Sequence, residues 1–414
     1  MEAIAPARMG RSFRWLLASS WTTNIGDGLA LASGPLLIAS QTHDPFLVAL
    51  AVLLQRLPWL LFGLQAGALA DRLDRRLLVV VVDGARAVVL AALAFTIITG
   101  AVSIGLVLTT MFLLGVAEVF ADTTTGTLLP MVVEKADLGI GNARIMAGMI
   151  TANQMVGPPI GAALFALGMY YPFVLQAVCV ALGAFLVSRM VTPPLPPPAE
   201  PTHIRQDIRE GFRWTWGHAP VRTLTLAIVT FNVTFGAAWS VLVLYSIRIL
   251  GMGEIGFGML TSVGAVGGLL GTLSYDWLER HFSLARIMRV GLVIETLTHL
   301  ALAVNTSFLI ALVIMFVFGA HAFIWGTTSR TVRMRAVPTE FQGRVGSVYL
   351  VGVFGGLVVG NALGGLIASA WGVTAPFWFA FMGSAVILAL IWRELEHIAH
   401  ADEQVLASQT AYDG

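Results

Sequence analysis

Asp27, flanked by Gly26 and Gly28, stands near the middle of one apolar run, and Glu118 near the middle of another. A carboxylate carried into a bilayer costs roughly 3 kcal/mol or more unless it is paired, wet or protonated. Each therefore marks either a structural pair or a group that loads and releases a proton. Arg56, in the run after that of Asp27, is the structural partner the order of the runs offers it. Asp83 and Arg86 stand three apart on one helical face and either pair with each other or join a wider network. Glu295 and His299, one turn apart, form a third candidate proton site and relay. Phe231, Phe235, Trp239, His321 and Trp325, with Arg56, are the candidates for lining a cavity, ordinary helix packing being the competing reading at each.

The elements that carry these residues follow from composition. Of 414 residues, 57% are hydrophobic and only 11% charged, with a mean hydropathy of +0.83, too few charges to solvate a globular surface. A helix crossing a bilayer needs about 20 mostly apolar residues. Twelve runs qualify: 13–39, 45–70, 77–98, 103–129, 141–168, 170–190, 220–247, 254–278, 286–304, 308–330, 344–369 and 373–392. Arg8 and Arg11 precede the first run and Arg14 stands at its start; the run is far longer than a signal-peptide core and reads as a retained span.

The runs fall into two groups of six, so residues 1–191 and 220–393 read as two six-helix bundles. Between them, 192–219 opens on a proline-dense stretch, Pro193 to Pro201, stiff and extended. It then becomes amphipathic, with Ile204, Ile208, Phe212 and Thr215 on one face and Arg205, Arg209 and Arg213 on the other, Trp214 and Trp216 nearby. That pattern predicts a helix lying on the membrane surface. A tail, 394–414, closes the chain. Asp71 after the second span is answered by Asp276 after the eighth, and Pro130 by Pro338 at nearly the same offset, which suggests duplication, the usual architecture of a secondary transporter. All 24 lysines and arginines except Arg56, Arg86 and Arg248 fall on the side of both termini, so both termini are expected in the cytoplasm.

Between the second and third spans lies Gly67-Ala-Leu-Ala-Asp71-Arg72-Leu-Asp74-Arg75-Arg76, a charged turn dense enough to demand water. Small residues before Asp71 suit a close helix approach. The turn resembles the G-x-L-A-D-R-x-G-R-[KR] signature of the major facilitator superfamily, departing only where Asp74 replaces glycine. The longer string from Pro58 to Leu78 is similar to the branch of that superfamily containing drug, macrolide and siderophore exporters. The resemblance implies an all-α integral membrane fold of twelve helices in two pseudo-symmetric bundles. It also implies a gating latch: Asp71 capping a neighbouring helix near Gly343 and Arg344, and Arg75 pairing with Asp122 low in the fourth span, with Asp83 and Arg86 as further members. Asn153 to Gly161, with Gly157, Pro158 and Gly161, resembles the antiporter signature G-P-x-x-G. The fourth span lacks the arginine of the R-x-x-x-G motif found in many drug antiporters, which draws attention to Glu118 as a replacement charge.

Several functions are disfavoured. The formal charge of +1 offers no basic face for nucleic acid. The one cysteine, Cys179, has no disulfide partner and reads as a small core residue, and no histidine pair at metal spacing or nucleophile elbow appears, so neither a metal, a cofactor nor a catalytic residue is expected. With no phosphate-binding G-x-x-x-x-G-K-[ST] loop, and Lys135 the only lysine, the energy must come from an ion gradient, a proton gradient before sodium. The expectation is a monomeric proton-coupled exporter of amphipathic small molecules, drugs or macrolides, in a bacterial inner membrane. A siderophore or other metabolite exporter is the nearest alternative, and a membrane receptor or embedded enzyme the alternative from another class.

Overall fold

Backbone inside hydrocarbon must satisfy its own N–H and C=O groups, and the apolar runs do so as helices. The computed structural model of the protein describes residues 7–70, 72–134, 137–192, 204–338 and 341–395, and no strand occurs among them. A short 3-10 turn, Ala7–Met9, leads into α1 (Gly10–Gln41), α2 (Pro45–Ala70), α3 (Arg75–Ile98) and α4 (Ile104–Val132). Then follow α5 (Leu138–Gly148), a π-helical segment (Met149–Val156), α6 (Gly157–Leu167), α7 (Tyr171–Ser188) and the linker helix α8 (Ile204–Gly217). The second half contains α9 (Ala219–Trp239), α10 (Leu242–Arg248), α11 (Glu254–His281), α12 (Leu284–Val304), α13 (Phe308–Ala336), α14 (Gln342–Trp371) and α15 (Ala375–Ile391).

Nine of the described spans, α9 and α10 counted together, are long and apolar enough to cross a membrane, and α15 is a shorter apolar helix. α1 has the length, at 32 residues, and is more polar. Its polar groups are answered locally: Thr22 Oγ1 donates to Ala18 O at 2.7 Å, Asn24 Nδ2 to Ser20 O at 2.7 Å, and Ser19 Oγ to Gly183 O of α7 at 2.9 Å. The order is consistent with twelve spans, the fifth being α5, the π segment and α6 in succession. Its interruption has a chemical cause. Pro158 and Pro159 have no N–H to give the carbonyls four residues back, and the turn that precedes them widens to the π-helical spacing.

The chain divides into two compact units, Met1–Pro201 with Ser246–Ser262, and Thr202–Tyr245 with Val263–Gly414. In the first, α6 meets α1 through glycines: a Cβ on Gly157 would collide with Gly28 Cα, and one on Gly161 with Leu29 O. In the second, Gly356, Gly360 and Gly364 of α14 press in the same way on Val229, Val233 and Ala237 of α9. The fifth span thus packs on the first, and the eleventh on the seventh, through small residues in each unit. Phe13, Leu16, Val79, Leu128 and Met190 form a core of the first unit; Leu224, Ile228, Phe231, Met288 and Leu292 form one of the second. Phe231, expected beside a cavity, is therefore a core residue, 4% exposed.

The linker helix departs from the expected division of its faces. α8 docks on α14 and α9 with Gly211 and Thr215 buried, while Phe212, expected to share a face with Thr215 opposite Arg209 and Arg213, is exposed together with both arginines. The proline-dense stretch 193–201 and the tail beyond 395 lie outside the described residues.

Candidate functional site

The ionisable residues of the first unit come together between α1, α2, α3 and α4. Two glycines flank Asp27 because both of its neighbours are in helix contacts. A Cβ on Gly26 would stand 3.0 Å from Cys179 Cβ of α7, and one on Gly28 2.7 Å from the carbonyl oxygens of Ala152 and Asn153 in the π segment. Asp27 itself turns to α3, where the Arg86 guanidinium donates to both of its carboxylate oxygens, Nη1 to Oδ2 at 3.5 Å and Nη2 to Oδ1. The expected partner, Arg56, makes no ion pair among the described residues. The reason is the direction of α2, which presents Arg56 to α4. Gly115 lets α2 lie so close to α4 that a Cβ there would meet Gln55 O at 2.6 Å, and Glu118, one turn on, is brought into electrostatic range of Arg56.

Arg86 is 4% exposed and interacts electrostatically with Asp27, Glu118, Asp83 and Asp122 together. Asp83 forms no ion pair with it, contrary to the simpler expectation from their spacing; Asp83 is equally buried and its Oδ1 has no hydrogen-bond partner. Asp122, one turn beyond Glu118, is exposed and neighbours Glu118, Asp27, Arg86 and Asp83. The expected pairing of Arg75 with Asp122 is not made, since Arg75 is absent from that set and its Nε donates to Ala70 O at 3.0 Å. Four carboxylates thus share two guanidinium groups at membrane depth. A surplus of negative charge in low dielectric is costly until it is neutralised, and a proton or a bound cation is what could neutralise it.

The signature turn is partly described. Asp71, its capping candidate, lies outside the described residues. Arg72 is exposed, and Arg76 Nη1 donates to Met190 O at 2.7 Å, tying the start of α3 to the end of α7. Gly67 does not make the close approach expected of it: a Cβ there meets nothing within 4 Å. Asp74 has an evident role at the position where the signature carries glycine. It is the N-cap of α3, accepting from Leu77 N at 3.0 Å.

In the second unit Glu295 pairs across helices with His321 of α13 (Oε2 to Nε2, 3.3 Å), where the spacing had pointed to His299 on its own helix. His299 turns instead to Ser384 of α15 (Nδ1 to Oγ, 3.5 Å), and Ser384 Oγ donates to Thr234 Oγ1 of α9 at 3.2 Å. His299 Nε2 and His321 Nδ1 are buried without partners. Around them Trp239 stacks on Phe235 at 4.4 Å and lies 4.5 Å from Phe318, and Trp325 lies 6.5 Å from His321. Sequence reasoning missed Arg333. Its guanidinium lies 3.9 Å above the Tyr349 ring, and its Nη1 is buried and unpartnered. The apolar run of the tenth span stops at 330, whereas α13 continues to Ala336, so hydropathy alone assigned Arg333 to a loop.

The sequence and the fold match a known group of proteins. The family profile described as transmembrane secretion effector matches residues 1–413. The chain belongs to that family. It is 25% identical over 381 residues to the multidrug efflux pump Tap of Mycolicibacterium fortuitum, covering 87% of this chain and 90% of Tap. It is 23% identical over 410 residues to the enterobactin exporter EntS of Escherichia coli strain K12, covering 96% of each. Among solved structures, a bacterial homologue of the iron transporter ferroportin in an inward-facing state superposes with a TM-score of 0.74 at 16% identity, covering 94% of this chain and 99% of that one. A bacterial homologue of the lysosomal transporter Spinster gives 0.71 at 15%, covering 96% and 98%. The chain is accordingly a multi-pass membrane transporter of the major facilitator superfamily, of the efflux and secretion class, and not an enzyme.

Proposed function

We propose that the protein exports an amphipathic small molecule in exchange for protons, and that the carboxylate surplus around Arg86 is its coupling site. The observation that carries this reading is the charge count: Asp27, Asp83, Glu118 and Asp122 against Arg56 and Arg86. Asp27 has its charge answered directly by Arg86. Glu118 and Asp122 are left to share what remains, and they stand on the helix face where a proton and a cationic substrate would compete. Proton entry from one side neutralises the cluster and releases substrate; proton loss to the other restores it, which is antiport by alternating access. The π segment beside Asp27 supports a hinge in the fifth span, since segments of this kind bend helices at functional sites. In the second unit, Glu295 with His321 is a further proton-holding pair.

Export, with both termini cytoplasmic in a bacterial inner membrane, is supported by the names of Tap and EntS and by the placement of arginines. A monomer with no nucleic-acid partner suffices for this cycle. The enterobactin exporter keeps a second reading in place, export of a siderophore or other metabolite through the same site.

The test is protein reconstituted in liposomes under an imposed pH gradient. Lumenal pH is followed while macrolides, other amphipathic drugs and a siderophore are added. Wild type should show ligand-dependent proton movement, and Glu118→Gln should abolish it. Asp27→Asn should abolish it as well, because the freed Arg86 then neutralises Glu118. Normal coupling in both variants would remove the cluster from the proton path.

A further inference from the structure

The linker helix carries an exposed face outside the candidate coupling site. One face of α8 is occupied. Gly211 lies so close to α14 that a Cβ there would stand 2.6 Å from Arg344 O, and Glu210 pairs with Arg344 at 3.0 Å. Trp214 stacks on His218 at 4.0 Å and on Phe341 at 5.9 Å, over a core of Val221, Val337 and Val345. The other face carries Arg209, Phe212, Arg213 and Trp216, all exposed, at helical positions 0, 3, 4 and 7, which makes a single stripe. The Phe212 and Trp216 rings stack at 5.1 Å and yet remain 52% and 47% exposed.

Two features of the stripe identify what covers it. Its described side chains include two guanidinium groups and no carboxylate, the neighbouring Glu210 being turned to Arg344. Its position is fixed as well: only His218 separates α8 from α9, a span long and apolar enough to cross the bilayer, and Arg222 Nη1 donates to Trp216 O at 3.1 Å, fastening the end of α8 to that span. The stripe therefore lies where the chain enters the membrane. Aromatic rings favour the boundary between headgroups and acyl chains, and arginines flanking them reach phosphate oxygens with paired N–H donors.

We infer that this stripe binds the phosphate groups of anionic phospholipids, Arg209 and Arg213 taking the headgroups while Phe212 and Trp216 enter the acyl boundary. The linker between the two halves is thereby held to the bilayer surface, whatever molecule is carried.

Hydrogen exchange of the 208–217 segment tests this on the full-length protein in nanodiscs of phosphatidylcholine alone or with phosphatidylglycerol. Each arginine beside an anionic surface contributes roughly fivefold in affinity, so exchange should be about tenfold or more slower with phosphatidylglycerol. That difference should vanish in Arg209→Ala/Arg213→Ala. Phe212→Ala/Trp216→Ala should speed exchange in both lipids. Thermal unfolding of the arginine variant should match wild type, since neither residue is in the docked face. Equal protection in the two lipids, or an unchanged difference in the arginine variant, would overturn the proposal. So would soluble glycerol phosphate giving full protection in phosphatidylcholine discs, which would make the stripe a free-anion site.

Discussion

The Arg86 guanidinium of α3 reaches both carboxylate oxygens of Asp27 on α1, joining two helices through a charge pair at membrane depth. Arg86 is the more deeply held, its side chain 5% exposed against 22% for Asp27. Removing one member strands the other, a loss of about 3 to 5 kcal/mol in comparable buried pairs, whereas removing both is far milder. Arg86→Gln should therefore lower thermal stability in detergent sharply, and Asp27→Asn/Arg86→Gln should recover much of the loss. A double variant no more stable than Arg86→Gln would show that Arg86 acts mainly through Glu118, Asp83 and Asp122.

The same cluster makes a prediction about the sign of the cargo. With four carboxylates to two guanidinium groups, the site should attract a cation and repel an anion. Tetraphenylphosphonium and tetraphenylborate are nearly the same size and differ in sign, so their binding to purified protein isolates charge from shape. The phosphonium should bind about tenfold tighter or more, and Glu118→Gln or Asp122→Asn should each reduce that preference about tenfold. The preference should strengthen as pH rises, because protons compete for the same carboxylates. Equal binding of the two ions would favour the metabolite-export reading.

Glycines of the two sequence motifs divide into those that pack and those that do not. Gly161 leaves no room for a side chain against Leu29 O, so Gly161→Ala must push α6 off α1, an overpacking cost of roughly 1 to 3 kcal/mol. Gly67→Ala meets open space and should leave melting temperature unchanged. If Gly67→Ala alone lost transport while folded, the signature glycine would matter in a conformation other than this one.

Much of this was legible in the sequence, and the failures share a cause. Apolar length located the spans, and the fold class followed, because hydrocarbon admits few alternatives. Which ionisable residues lie inside the apolar runs was legible too. Their partners were not: Asp27 chose Arg86 over Arg56, and Glu295 chose His321 over His299, because pairing depends on helix rotation and neighbour order, which periodicity within one helix does not encode. Phe212 was misplaced for a related reason. In α8 the buried face was selected by how closely Gly211 and Thr215 let the helix approach α14, so side-chain size outweighed apolarity. The role of Asp74 was available from the start, since an aspartate just before a helical run is an N-cap signal, here masked by comparison with a signature that has glycine.

His218, which joins α8 to α9, should make the docking of the linker helix sensitive to acid. Burial against Trp214 holds its imidazole below the ordinary value of 6.5, an effect partly offset by its backbone hydrogen bond to Trp214. A depressed value means that the docked state binds fewer protons than the undocked one across the interval below 6.5. Docking is therefore fully stable above that pH and weakens as pH falls through it. Hydrogen exchange of residues 208–217 should accelerate between pH 7 and pH 5.5, after correction for intrinsic rates, and His218→Gln should remove the acceleration while keeping the ring-sized contact with Trp214 only in part. If the variant shows the same acid response, the proton acts elsewhere, the Glu210 and Arg344 pair on the docked face being the next group to test.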